Sequence, residues 1–226
     1  MRYHTIFLDA GGVLVHPNWE RVSDTLERHD ILVQAQALRD ADPLVKKSID
    51  RAEIIHSSND GGRFSAYLRM VISQAGVAPT DAMTAALAEL YEYNNRWNLW
   101  ENVPNDVLPT LAALRARGMK LVVVSNSNGT LRDSLERLGL LSSVDMVFDS
   151  HEHNIEKPNP EYFLRALKAS GGTVDTTVHI GDFYHIDVIG ARSAGMDAIL
   201  LDSANLYEEC DCPRIKMLGE LITLLE

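Results

Sequence analysis

Four short segments carry the residues able to do chemistry. Ile6-Phe7-Leu8 ends in Asp9 and runs straight into Ala10-Gly11-Gly12-Val13-Leu14. A carboxylate delivered by an apolar run into a glycine loop serves as a nucleophile, a metal ligand or both, and the glycines let backbone N–H groups approach a ligand closely. Val122-Val123-Val124 ends in Ser125-Asn126, which offers a hydroxyl and a further N–H. Lys157 lies in Glu156-Lys157-Pro158-Asn159-Pro160, where the prolines restrict the backbone around a cation. Val178-His179-Ile180 ends in Gly181-Asp182, and a second acid, Asp187, follows. Two carboxylates brought together suit a hard cation such as Mg²⁺ shared with a substrate phosphate.

The elements that must position these residues are strands and helices in alternation. The apolar runs at Ile6–Leu8, Lys120–Val124, Val144–Phe148, Thr177–Ile180 and Ala198–Leu201 are short and hardly alternate, as in parallel strands covered on both faces. Helical spacing recurs at Val107/Leu111/Leu114, Leu131/Leu135/Leu138, Phe163/Leu164/Leu167 and from about Ile186, each before a glycine. This pattern predicts an α/β, doubly wound parallel-sheet domain, whose ligands bind beyond the carboxyl ends of the strands.

Residues 17–102 break the rhythm. Helices are expected near Trp19, across Val45 and Ile49, from Arg63 to Ala75 and from Thr80 as N-cap toward Trp97, with Ser57–Gly62 as a loop and no strand. Domains are therefore expected at 1–16 plus 103–226, and at 17–102 as a helical insertion. Trp97 and Trp100 are expected to pack where the two meet, and Lys46-Lys47 to form a solvated charged face.

The four segments, in this order and spacing, resemble the haloacid dehalogenase superfamily, which consists mostly of phosphatases. Asp9–Leu14 looks like its first motif, Ser125 the second, Lys157 the third, and Gly181-Asp182 through Asp187 the fourth. The resemblance implies a Rossmann-like core with a helical cap and a small phosphate ester as substrate. It also implies Asp9 as nucleophile, with Mg²⁺ held by Asp9, the Gly11 carbonyl and Asp182. Ser125 and Lys157 would bind phosphate with the backbone of Gly11, Gly12 and Asn126, and Asp187 would act from behind them. The sequence departs from the family at Gly11, where most phosphatases carry an acid/base aspartate. His16 is the nearest substitute in sequence.

Bulk properties bound the rest. With 226 residues, 46% hydrophobic and 23% charged, the chain has the composition of an ordinary soluble globular protein. Its formal net charge of -11 opposes general nucleic-acid or anionic-membrane binding. No signal pattern or membrane-length apolar run occurs, and the two cysteines, Cys210 and Cys212, flank a single residue. A cytoplasmic setting is expected. Monomer and homodimer both remain open. His151-Glu152-His153 lacks the helical spacing of a zinc pair and reads as a solvated loop.

Overall fold

The computed structural model describes residues 2–51 and 60–225, with the backbone alone for 60–63. The chain divides into two compact units, Met1–His16 with Asn102–Glu226, and Pro17–Glu101.

In the first unit, β1 (Thr5–Leu8), β4 (Lys120–Ser125), β5 (Met146–Asp149), β6 (Thr177–Gly181), β7 (Asp197–Leu201) and β8 (Arg214–Ile215) form one sheet in the order β5-β4-β1-β6-β7-β8. Each of its pairings is parallel. Every residue of β1 is buried, as are Leu121–Ser125 of β4. That accounts for the absence of alternation, because neither face of these strands meets water. The register pairs Leu8 with Val123 on one side and with Ile180 on the other. Asp9, Ser125 and Asp182, one or two residues further along, therefore lie close together at the carboxyl edge. The chain builds outward to β5 on one side of β1, then returns to build β6, β7 and β8 on the other. That reversal makes the end of β1 the topological switch point, where open α/β sheets bind ligands.

Helices α5 (Val107–Ala116), α6 (Leu131–Arg137), α8 (Pro160–Ser170), α9 (Gly190–Ser193) and α10 (Leu221–Leu224) belong to this unit. Helix α8 shows the local logic. Asn159 caps the Glu161 N–H, Pro160 occupies the first turn and Gly171 ends the helix in the left-handed region. Its buried face, with Tyr162, Phe163, Ala166 and Leu167, joins Phe7, Val122, Val124 and Leu200 in one core.

Two expectations are corrected in this unit, and one strand goes beyond them. The stretch expected as a helix from about Ile186 begins as a π-helical turn, Tyr184–Ile189, before α9. His151-Glu152-His153 is a short helix, α7 (Ser150–His153), and the His153 ring stacks 3.8 Å from that of Phe148. The strand β8 has only two residues, too few to leave a periodic signal.

The second unit is helical: α1 (Trp19–Arg28), α2 (Ala35–Ile49), α3 (Asp60–Gln74) and α4 (Asp81–Trp97). Thr80 caps α4 through the Met83 N–H, as its sequence position predicts. Of the expected loop, Asp60–Gly62 instead belong to α3, while 57–59 lie outside the described residues. Trp19, Leu26, Leu38, Leu68, Ile72, Leu87 and Leu90 form the core. Trp100 packs against that core, stacking on Tyr67, whereas Trp97 is 46% exposed. Lys46 is not solvated; its side chain is 13% exposed, with Nζ 3.8 Å from Asp42. The strands β2 (His16–Pro17) and β3 (Trp100–Asn102), absent from the sequence expectation, pair as a two-stranded ribbon. No described helix is long and apolar enough to cross a membrane.

Candidate active site

Asp9 follows β1 directly, and its N–H extends the sheet by donating to the Ile180 carbonyl at 2.9 Å. The chain then turns tightly, with Leu14 and Val15 both donating to the Ala10 carbonyl. Gly12 sits in this turn at φ +77, and a Cβ there would lie 1.9 Å from Asp182 Oδ2. Only glycine serves at that position, because it accepts the left-handed backbone and leaves room for the second carboxylate.

The two oxygens of Asp9 are treated differently. Oδ1 accepts from the Ala10 N–H at 2.7 Å and from Ser125 Oγ at 2.7 Å, and lies 3.0 Å from Lys157 Nζ. Three donors on one oxygen fix the plane of the carboxylate. No described hydrogen bond is made to Oδ2, which is left to meet a cation or an electrophile.

Lys157 is fully buried. Its backbone is clasped by Asn126, which accepts from the Lys157 N–H at 2.8 Å and donates to the Lys157 carbonyl at 2.9 Å. Its Nζ donates to Asp187 Oδ1 at 2.7 Å. Burial alone pulls the ammonium toward neutrality, but Asp187 and Asp9 outweigh that pull and hold its pKa above the ordinary lysine value. The cation is therefore permanent at neutral pH.

Asp187 comes from the π-helical turn, and its own N–H donates to the Phe183 carbonyl. Its Oδ1 also meets His179 Nε2 at 2.9 Å, and its Oδ2 accepts from the Phe183 N–H at 3.0 Å. Burial opposes the charge, but Lys157 and His179 win and keep the carboxyl well below the usual carboxylate range. A Cβ at Gly181 would lie 2.1 Å from Asp187 Cγ, so glycine at the end of β6 admits this side chain. Burial pushes the His179 imidazole down despite Asp187, which favours the neutral ring.

Asp9, Asp182 and Asp187 each place a carboxylate oxygen within 4.8 Å of the others. With one ammonium among three carboxylates, the cluster formally carries two uncompensated negative charges. Such a concentration of hard oxygen ligands can hold a divalent cation.

The fold thus brings together Asp9, Ser125, Lys157, Asp182 and Asp187 from four separate segments. Asn126 is present too, with its side chain engaged on Lys157. Gly11 forms a bridge with Val15, and His16 is half-buried at the start of β2. Two residues were missed by sequence reasoning. Tyr162, fully buried on α8, donates from its hydroxyl to the carbonyls of Ser125 and Phe148 at 3.0 and 2.7 Å, tying β4 to β5. His179 is fully buried in the sheet. Its signal was an imidazole between two apolar residues, Val178 and Ile180, of a buried strand.

The parallel sheet, with an acid at its switch point braced by a hydroxyl and a buried lysine and faced by a second acid, places the chain among the α/β hydrolases. The chain belongs to the haloacid dehalogenase-like hydrolase family, whose sequence profile matches residues 3–195. It is 30% identical over 192 residues to haloacid dehalogenase-like hydrolase domain-containing protein 3 of Bos taurus, covering 83% of this chain and 76% of that one. It is 35% identical over 127 residues to glyceraldehyde 3-phosphate phosphatase of Methanothermobacter thermautotrophicus, covering 56% of each. The chain therefore matches just over half the length of that phosphatase. In fold it resembles the magnesium-bound HAD-hydrolase YfnB of Bacillus subtilis, with a TM-score of 0.72 at 17% identity over the full length of both chains.

Proposed function

We propose that this hydrolase is a Mg²⁺-dependent phosphatase acting on a small soluble phosphate monoester. The observation that carries the reading is the asymmetric bracing of Asp9, with Oδ1 held by Ala10, Ser125 and Lys157 and Oδ2 left for reaction. The phosphatase-named relatives support the reaction class.

In this reading Asp9 attacks phosphorus, the P–O bond to the leaving alcohol breaks, and an aspartyl-phosphate forms. Water then hydrolyses that intermediate and regenerates Asp9. Ser125 and Lys157 donate to phosphate oxygens, assisted by the backbone of Gly11, Gly12 and Asn126. Because Lys157 is buried and permanently charged, it needs no reorganisation to meet a dianion. Asp9, Asp182 and the Gly11 carbonyl would hold Mg²⁺, whose charge would offset the repulsion between an anionic nucleophile and an anionic phosphate. Asp187 supports the site through Lys157.

Gly11 supplies no side chain to protonate the leaving oxygen. General acid help is worth roughly 10² to 10⁴-fold, or about 3 to 5 kcal/mol of barrier. The enzyme is therefore expected to be slow, to prefer good leaving groups, or to use His16 as acid. The same glycine favours a second reading, an impaired member that binds a phosphometabolite or a protein partner. A carbon–halogen hydrolase is disfavoured by Asp182, since halide-releasing relatives need no metal-binding acid there.

The test is a panel of phosphate esters assayed with and without Mg²⁺, alongside Asp9→Asn. The expected result is Mg²⁺-dependent turnover of at least one ester that Asp9→Asn abolishes. Absence of turnover above background would overturn the phosphatase reading in favour of binding, and activity indifferent to Mg²⁺ and to Asp182→Ala would favour the halide route.

A further inference from the structure

Among the buried polar side chains of the sheet, one touches the carboxylate cluster and yet has no part in the chemistry above. His179, the middle residue of β6, is fully buried and paired in register with Phe7 and Ala198. The Phe163 ring meets it edge-on at 5.1 Å. An apolar side chain would fill this position without the cost of desolvating an imidazole. One ring nitrogen does go unmet, because among the described residues Nδ1 has no hydrogen-bond partner. The other, Nε2, lies 2.9 Å from Asp187 Oδ1.

That contact fixes the tautomer. An ionised carboxylate only accepts, so Nε2 carries the proton and donates. Asp187 Oδ1 is then held from one side by His179 and grips Lys157 Nζ on the other at 2.7 Å. The Phe183 N–H holds Oδ2. The described bonds to the Asp187 carboxylate thus aim it at Lys157, and through Lys157 at Asp9 Oδ1. Removing His179 would leave only the Phe183 N–H and Lys157 itself holding the carboxylate, which loosens its aim and that of the ammonium paired with it.

We propose that His179 is a positioning residue for the phosphate-binding lysine, acting through Asp187 from inside the sheet. Its role in turnover rests on the phosphatase reading, whereas its role in holding Lys157 does not. Two substitutions separate position from bulk. His179→Gln presents an amide N–H close to where Nε2 lies, and His179→Leu fills the core without a donor.

Two readouts are needed. Lysine-15N-labelled protein should show a slowly exchanging Nζ signal for Lys157, assigned by its disappearance in Lys157→Met. The signal should persist in His179→Gln and shift or broaden beyond detection in His179→Leu, while far-UV circular dichroism shows both variants folded. Steady-state kinetics on the best ester should show His179→Gln within about threefold of wild type and His179→Leu reduced about 10- to 100-fold in kcat/KM, the range seen when the support behind a ligand-binding group is lost. If the Lys157 signal is unmoved in a folded His179→Leu, the proposal fails. It fails equally if the activity of both variants merely follows their melting temperatures. If wild type turns over no ester, the phosphatase reading falls, and the Nζ signal still decides the role of His179.

Discussion

Replacing Lys157 by methionine deletes a charge while roughly preserving the volume of a fully buried side chain. In the native protein Nζ lies 2.7 Å from Asp187 Oδ1 and 3.0 Å from Asp9 Oδ1. At an effective dielectric near 20, each contact corresponds to a gross attraction of about 6 kcal/mol, most of it offset by desolvation. Removing one partner of a buried pair costs about 3–5 kcal/mol net, because the other charge stays behind. For a domain of this size that lowers Tm by roughly 6–20 °C. The loss should also depend on pH, with a sign set by Asp187. In wild type its depressed pKa gives stability that is present above the unfolded value near 4 and is lost only as pH falls toward strongly acidic values. In Lys157→Met burial remains and the main opposing charge is gone, so the carboxyl pKa rises above its unfolded value. Stability then falls as pH rises through the range between the two values. Thermal unfolding in chelator should therefore show a wild-type-to-variant gap in Tm that is larger at pH 8 than at pH 5. A gap below about 2 °C at both pH values would refute the buried-cation argument, and an equal, large gap would refute the account of Asp187.

Three further outcomes are expected. Gly12→Ala places a Cβ against Asp182 Oδ2 on a left-handed backbone, so it should displace that carboxylate and raise the Mg²⁺ concentration for half-maximal activity at least about 10-fold; an unchanged Mg²⁺ titration would remove Asp182 from the metal site. Tyr162→Phe strips a hydroxyl from two carbonyls at the ends of β4 and β5 and should cost about 1–3 kcal/mol in denaturant unfolding, with no cost if those carbonyls find other donors. Gly11→Asp should raise kcat by about 10² to 10⁴-fold if the missing acid limits turnover; no gain, together with a comparable loss in His16→Ala, would assign the proton to His16.

Much of the site was legible in the amino-acid order because strand ends announce themselves. The buried runs before Asp9, Ser125 and Asp182 cannot alternate when both sheet faces are covered, and parallel pairing puts their ends on one edge. Elements with weak local signals were not legible. The helix α2 passes through Pro43, a residue that locally argues for a break, so only its second half stood out in sequence. The ribbon strands β2 and β3 hold two and three residues, too few for a pattern. The start of α3 contains Gly61 and Gly62, which read as loop.

Sequence alone determined the types and order of the candidate site groups and the α/β frame, since both depend on local composition and on hydrophobic period. Tertiary structure alone decided which oxygen of each carboxylate is engaged and what stands behind Lys157. Asn126 lies 31 residues from the lysine it clasps, and Ser125 lies 116 residues from Asp9. His179 meets Asp187 only because the π-helical turn folds that carboxylate back over β6. Hydrogen-bond direction and burial depend on which chain segments become neighbours in space, and no local pattern encodes that.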